Sequence, residues 1–355
     1  MLLARYIGFH FCLAAGAVLL ILLTLFSFMA FTEALEDVGS GSYTGADAVA
    51  VVLLTTPRRI VDLLPVTALL GSMLGLGMLA NHQELTAIRA AGFSTWRIAR
   101  ILLGIAAALI AAVVLFQYAL IPAAERKAQE YRSRTLERTA LGDAEFWSRH
   151  ERRIIRVGSV EFGRIPRDIE LYELDAEARL VRLVRAAKAD VVSSREWLLH
   201  DVEEKVIEHD QVLVRQLPQL AWESFLSPEQ ISTLIAPLHA LSPLDLYRYL
   251  RENRGSGLDV REHSARFWHQ ISVPFTLAGM LLLGLPLVLN SVRVRSTGLR
   301  VVLGAAIGVG FYLFEQVAGQ LSLLFELAPG PTALLPALVV LASALYGVRY
   351  LATRS

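Results

Sequence analysis

The 355 residues are 54% hydrophobic and 19% charged, with a mean hydropathy of +0.48, which excludes a disordered chain and an ordinary water-soluble domain. Lys and Arg number 34 against 33 Asp and Glu, so a net charge of +1 gives no electrostatic basis for binding nucleic acid. One cysteine, Cys12, excludes a disulfide framework.

Taken in order, the chain first offers Phe11 to Phe31, which contains no Asp, Glu, Lys or Arg and is long enough at helical rise to cross a hydrocarbon core of ~30 Å. The run is too long for a cleaved leader, and no small-residue cleavage site follows it. After the acidic loop Thr32 to Arg59 comes a second span, Ile60 to Ala80, with Asp62 near its start. The polar stretch "ANHQELTAIRAAGF", Ala80 to Phe93, then interrupts the apolar chain; Leu85, Ala87, Ile88 and Ala91 supply an apolar component, and Gly92 is a stop signal. It is predicted to be a short helix. From residue pattern alone it serves equally as an amphipathic helix on the membrane surface or as a docking helix for a soluble motor.

A third uncharged span, Ile101 to Ile121, precedes a change of composition over about Pro122 to Arg266. Runs such as "DIELYELD", "ARLVRLVR", "KADVVSS", "EWLLHDVEEKVIE" and "QVLVRQL" are short and rich in Val, Ile and Leu, and predict an antiparallel β-domain. In "SPLDLYRYLRENRGSG", Ser242 is an expected N-cap and Pro243 the first helical residue, so a helix returns the chain to the membrane. Spans four to six follow as Phe267 to Asn290, Val301 to Phe325 with Glu315 in its middle, and Gly330 to Val348. The bases flanking the spans set the orientation: Arg5, Arg89, Arg97, Arg100, Arg293, Arg295, Arg300, Arg349 and Arg354 all fall on one side. Both termini are therefore expected in the cytoplasm and the β-domain outside.

No phosphate-binding loop, zinc-binding H-E-x-x-H, cysteine pair or nucleophile elbow is present, so no catalytic centre, metal site or bound cofactor is expected. His263 and His269 are spaced unsuitably for one helical face, and interfacial packing is their expected role. Glu315, an intramembrane carboxylate, is expected to serve structure or a subunit contact; for a proton relay, Asp62 is the one acidic candidate to accompany it.

The stretch "GSYTGADAVAVVLLTTPRRIVDLLPVTALLGSMLGLGMLANHQELTAIRAAGFS", Gly41 to Ser94, resembles the signature region of the LptF/LptG permease family, and its GSY start and LLGSMLGLGMLA core lie closer to the LptG branch. "TGLRVVLGAAIGVGFYLFEQVAGQLSLLFELAPGPTALLPAL" is similar to that family's closing spans. The resemblance implies a polytopic α-helical inner-membrane protein of Gram-negative bacteria, with six transmembrane helices and a periplasmic β-jelly-roll domain between helices three and four. Residues 1–121 would hold helices one to three with a coupling helix at about 81–93, residues 122–266 the jelly roll with flanking helices, and residues 267–355 helices four to six. It implies a permease subunit, itself non-catalytic, that extracts lipopolysaccharide from the outer leaflet and passes it to a periplasmic bridge. LptF, a cytoplasmic LptB dimer that uses ATP, and LptC are the implied partners. The sister subunit LptF, sharing the fold, and a non-transporting scaffold that recruits partners through its β-domain are the alternatives.

On this resemblance, Glu84, Leu85, Ile88, Arg89 and Gly92 form the element that couples to the ATPase, with Glu84 as a charge-assisted anchor to a basic residue of the motor. Arg58 and the cluster Arg126, Lys127, Arg132 and Arg134 become candidate contacts for the phosphates of lipopolysaccharide, with Arg132 matching the family best; the simpler role for such bases is to anchor helix ends at headgroups. One departure stands out. Where relatives carry lysines at the outer end of the first span, this chain has Ala30, Glu36 and Asp37, which would repel a phosphate.

Overall fold

The computed structural model describes residues 2–135, 146–161, 165–177, 179–192, 196–208, 211–224, 240–252, 260–290, 297–325 and 327–353. They divide into two compact units, one of Met1–Thr32, Thr55–Ile121 and Arg261–Ser355, the other of Glu33–Leu54 and Pro122–Val260. The loop between the first two spans therefore groups with the inserted domain rather than with helices one to three.

The first unit is a helical bundle. Its elements are α1 (Leu2–Leu35), α2 (Gly45–Asn81, which starts in the second unit), α3 (Glu84–Ala90), α4 (Thr95–Leu115), α7 (Arg261–Asn290), α8 (Thr297–Leu324) and α9 (Pro329–Thr353). Six helices among the described residues are long and apolar enough to span a membrane, in the order expected. Charged residues at their ends are still helical, so the helices overrun the uncharged stretches; α2, with 37 residues, is about 55 Å long at 1.5 Å per residue. α7 is the hub, with Leu277, Met280, Leu281, Leu282, Leu285 and Val288 all buried. Small residues let backbones close in, as expected where lipid offers no hydrophobic drive between helices. A Cβ on Gly279 would meet the backbone of Leu341 in α9 at 2.9 Å, and one on Gly71 of α2 would meet Ala15 of α1 at 2.6 Å. α1 and α8 are the least enclosed, with 11% and 17% of their most apolar stretch buried, against 72% for α2.

α4 continues through a π-helical turn, Phe116–Leu120, into α5 (Ile121–Thr135), which from Pro122 onward belongs to the second unit. The strands β1 (Phe146–His150), β2 (Arg153–Glu161), β3 (Ile165–Leu174), β4 (Leu180–Val191), β5 (Glu196–Glu208) and β6 (Gln211–Glu223) form one antiparallel sheet in sequence order, an open arrangement consistent with a jelly-roll domain. Its core holds Ile155, Val157, Ile169, Leu171, Val184, Leu199 and Val202, closed by Trp197 and Trp222, which pair across β5 and β6 edge to face with centroids 5.6 Å apart. α6 (Pro243–Glu252) begins as expected: Ser242 Oγ accepts from the Asp245 amide at 3.2 Å and donates to the Asp245 carboxylate at 2.7 Å.

One line of irregularity crosses this sheet. Regular pairing skips Gly158 on β2, Asp168 on β3, Ala187 on β4, Asp201 on β5 and Pro218 on β6, each opposite the next. Asp168 and Asp201 have left-handed φ values of 51° and 53°, Gly158 leaves room for the Asp168 side chain, and Pro218 has no amide to donate. On β3, β4 and β5 the buried positions change phase there, from 169 and 171 to 166, from 184 and 186 to 189, and from 197 and 199 to 202. The sheet bends along this line.

Candidate functional site

The segment expected to couple to an ATPase is built by two turns. α2 ends at Asn81, and the chain reverses through His82 and Gln83, with Gln83 at φ 61° and its amide donating to the Ala80 carbonyl at 3.1 Å. α3 then runs for 7 residues and stops where Gly92 takes φ 88°, a conformation that disfavours any side chain. The Gly92 amide donates to Arg89 O at 3.0 Å and the Phe93 amide to Ile88 O at 3.3 Å, the paired closing bonds of a Schellman end. Gly92 thus has a defined structural duty.

α3 is docked on its own bundle. Leu85 is 1% exposed and belongs to the main helical core, against which Ile88 also packs half-buried. Glu84 accepts a hydrogen bond from the Tyr6 hydroxyl of α1 at 2.7 Å, and Arg89 is half-buried. The face left open consists of Thr86, Ala87, Ala90 and Ala91. Leu85 and Ile88, named from sequence among the coupling residues, therefore face inward; what α3 offers outward is small side chains, which permit close approach of another surface.

The candidate phosphate-binding bases belong to different units. Arg58 lies in the helical unit, its Nε 3.6 Å from the Asp62 carboxylate one turn on. Arg132 lies in the other unit, where its guanidinium pairs with Asp37 at 3.0 Å. Around that pair the loop is tied down: Tyr131 Oη donates to Asp47 at 2.9 Å, and Asp47 accepts from both the amide and hydroxyl of Thr44 at 2.6 and 2.7 Å. Tyr43 is 2% exposed; burial pushes its phenol up, against the pull of the Arg132 charge. The acid that would repel a phosphate is thus neutralised by the base expected to attract one. Arg126 and Lys127 are exposed, Arg126 Nε donating to Pro122 O at 3.0 Å on its own helix, while the side chain of Arg134 lies outside the described residues.

Glu315 has a partner that charge counting did not flag. His269 Nδ1 of α7 lies 3.3 Å from its carboxylate, whereas Asp62, the acid considered from sequence, pairs with Arg58. No cluster of three or more metal-binding side chains occurs among the described residues. Tyr6, Tyr43, His269 and Arg300 were not singled out as site residues from sequence. Arg300 had served only to orient the loops, although glycines four and eight residues further on share its helix face.

A family model described as "Lipopolysaccharide export system permease LptF/LptG" matches residues 5–350. The chain is 29% identical over 338 residues to the lipopolysaccharide export system permease protein LptG of Haemophilus influenzae, covering 94% of both chains. To the protein of the same name from Escherichia coli K12 it is 28% identical over 337 residues, covering 94% of this chain and 93% of that one.

Proposed function

Since the chain belongs to the LptF/LptG family and is a membrane-embedded permease subunit of the lipopolysaccharide export system, we propose that it fills the LptG position, paired with LptF and driven by a cytoplasmic LptB dimer with LptC attached. Hydrolysis of ATP belongs to the partner, and this chain converts its motion into movement of lipid. The observation that carries this reading is the two-sided construction of α3. A motor can move a membrane bundle only through an element fixed to the bundle on one side and open on the other. Leu85 and the Tyr6–Glu84 hydrogen bond supply the fixed side, and the threonine–alanine face the open one.

Glu84 in this scheme is a shared anchor. A carboxylate accepts several hydrogen bonds, so a basic residue of the motor joins Tyr6 on it by a charge-assisted bond. On the outer side, Arg132 is the phosphate contact, held ready by Asp37 and Tyr43 until a lipid headgroup exchanges with the carboxylate. In this reading both termini lie in the cytoplasm and the β-domain in the periplasm, which the distribution of arginines supports. β6, an edge of the sheet among the described residues, exposes Val212, Leu213 and Val214 together, and accepts a strand from a neighbouring β-domain of the bridge.

The test is purification of the chain with its native partners, followed by lipopolysaccharide-dependent ATP turnover in the wild type and in Glu84→Ala. Loss of ATPase association, or turnover no longer tied to lipid release, is expected in the variant with membrane insertion intact. Normal assembly and transport in Glu84→Ala would remove the role given to that residue. Turnover in the wild-type complex that ignores lipopolysaccharide would point to a scaffold instead.

A further inference from the structure

Arg300, near the start of α8, is 3% exposed. A guanidinium so enclosed is costly unless its donors are used, and here Nη1 donates to Gly77 O at 3.0 Å and to Asn81 Oδ1 at 2.9 Å. Both acceptors lie in the last turn or so of α2, one a backbone carbonyl and the other a side-chain amide oxygen, at the negative end of the helix dipole. Arg300 therefore closes the end of one helix from the side of another. That end is also where α3 begins, since only His82 and Gln83 separate Asn81 from Glu84.

The same face of α8 continues the contact. Cβ atoms on Gly304 and Gly308 would lie 2.7 Å from Leu70 and 2.9 Å from Val66 of α2. Residues 300, 304 and 308 thus run antiparallel along residues 81 to 66, the side chains of Leu70 and Val66 seated on the two glycines and a cation at one end. α8 is otherwise among the two least enclosed spans, and this seam is one of the contacts that fix it to the bundle, beside those with α7 and α9.

We infer that Arg300 is a positioning residue that makes α8 move as one body with the end of α2 carrying the coupling helix. The inference rests on the coupling role proposed for α3 and adds the path by which displacement of α3 reaches a lipid-facing helix. Arg300 touches neither the motor nor the transported lipid in this scheme. It prevents the glycine seam from sliding when α3 is pushed.

The seam offers two independent perturbations. Arg300→Met removes the donors at similar length. Gly77→Ala leaves the arginine in the chain but puts a methyl group 2.9 Å from the present position of Nη1, so the guanidinium must shift from its present place against α2. Both are made in a Cys12→Ser background in the full complex with its copurified ATPase. Spin labels at His82 and Leu115 report on the coupling corner, and labels at Val309 and Leu115 report on α8; all three sites are exposed. Distances are compared without nucleotide and with ATP plus vanadate.

In the wild type both distances are expected to shift with nucleotide. In Arg300→Met and in Gly77→Ala the corner shift should remain, while the α8 shift falls to less than half its wild-type amplitude; Arg300→Lys should retain part of it. An α8 shift of unchanged amplitude in both variants would overturn the inference. If neither distance moves in the wild type, the coupling role of α3 fails first and takes this inference with it. Should Arg300→Met not assemble, Gly77→Ala alone decides between the outcomes.

Discussion

Replacing Leu85 by alanine separates the helix from the bundle without touching its open face. Leu85 is 1% exposed and surrounded by the main core, so its truncation falls in the range of roughly 2–5 kcal/mol measured for buried leucines, and about 3 kcal/mol is a fair central value. A helix of 7 residues has no stability of its own, because its nucleation cost is never recovered over so few bonds. The loss therefore appears as local opening of α3, increased roughly a hundredfold at 1.4 kcal/mol per decade. The reporters are the amides of Ala87, Ala91, Gly92 and Phe93, which donate within the segment at 3.0, 2.9, 3.0 and 3.3 Å. Hydrogen exchange read by mass spectrometry should show protection at these amides falling by about two orders of magnitude, with peptides from β5 and β6 unchanged. Ala87→Ser, on the exposed side, should leave protection as it was. Unchanged exchange in a well-inserted Leu85→Ala chain would refute the claim that burial of this side chain holds the coupling helix in place.

Asp37→Asn should release Arg132 toward phosphate and raise lipopolysaccharide retention or photo-crosslinking at Arg132 by up to about fivefold, the scale of a partly exposed ion pair worth at most ~1 kcal/mol; reduced or unchanged retention would mean that the pair has only a structural role. In the β-domain, Tyr172 donates to Glu170 at 2.5 Å while Arg185 and Arg156 approach its carboxylate at 3.0 and 3.5 Å, holding it below the ordinary carboxylate range. Its contribution is present above the unfolded-state pKa of about 4.3 and is lost as pH falls through the depressed folded value, so Glu170→Gln should destabilise the domain by ~1–2 kcal/mol at neutral pH and by progressively less in acid. Thermal unfolding followed by near-ultraviolet dichroism of the Trp197–Trp222 pair measures this, and a penalty independent of pH would assign the effect to shape rather than charge.

The spans were legible because lipid forbids charge, and a run free of charge is visible in one sequence. Their ends were not, since a helix continues through Arg or Asp once water is reached. The β-domain was legible from β3 onward. β4 read as two runs, "ARLVRLVR" and "KADVVSS", because the phase of its buried side changes near Ala187; alternation is lost to the eye at the point where the sheet bends. β1 and β2 escaped notice because arginines interleave with few apolar residues there, and just Ile155 and Val157 of β2 are fully buried among its described side chains. For α3, existence and stop signal were readable, but which apolar residues face the bundle and which stay exposed depends on neighbours distant in sequence. His269 opposite Glu315 illustrates the same limit: a histidine leaves no mark on a count of Lys, Arg, Asp and Glu, yet its Nδ1 lies 3.3 Å from the carboxylate.

The skipped row from Gly158 to Pro218 has a consequence for assembly. A strand shifted by two residues keeps its inward side chains inward, so ordinary alternation cannot forbid such a slip. Here a slip would carry Pro218 opposite a residue that needs its amide and bring the left-handed backbone of Asp168 or Asp201 against regular strand. Each strand is thereby indexed to its neighbour at one fixed notch. Among the described residues β6 is the last edge, and the domain carries its own internal ruler up to it: a strand added there, as proposed above, would meet a template whose spacing cannot drift.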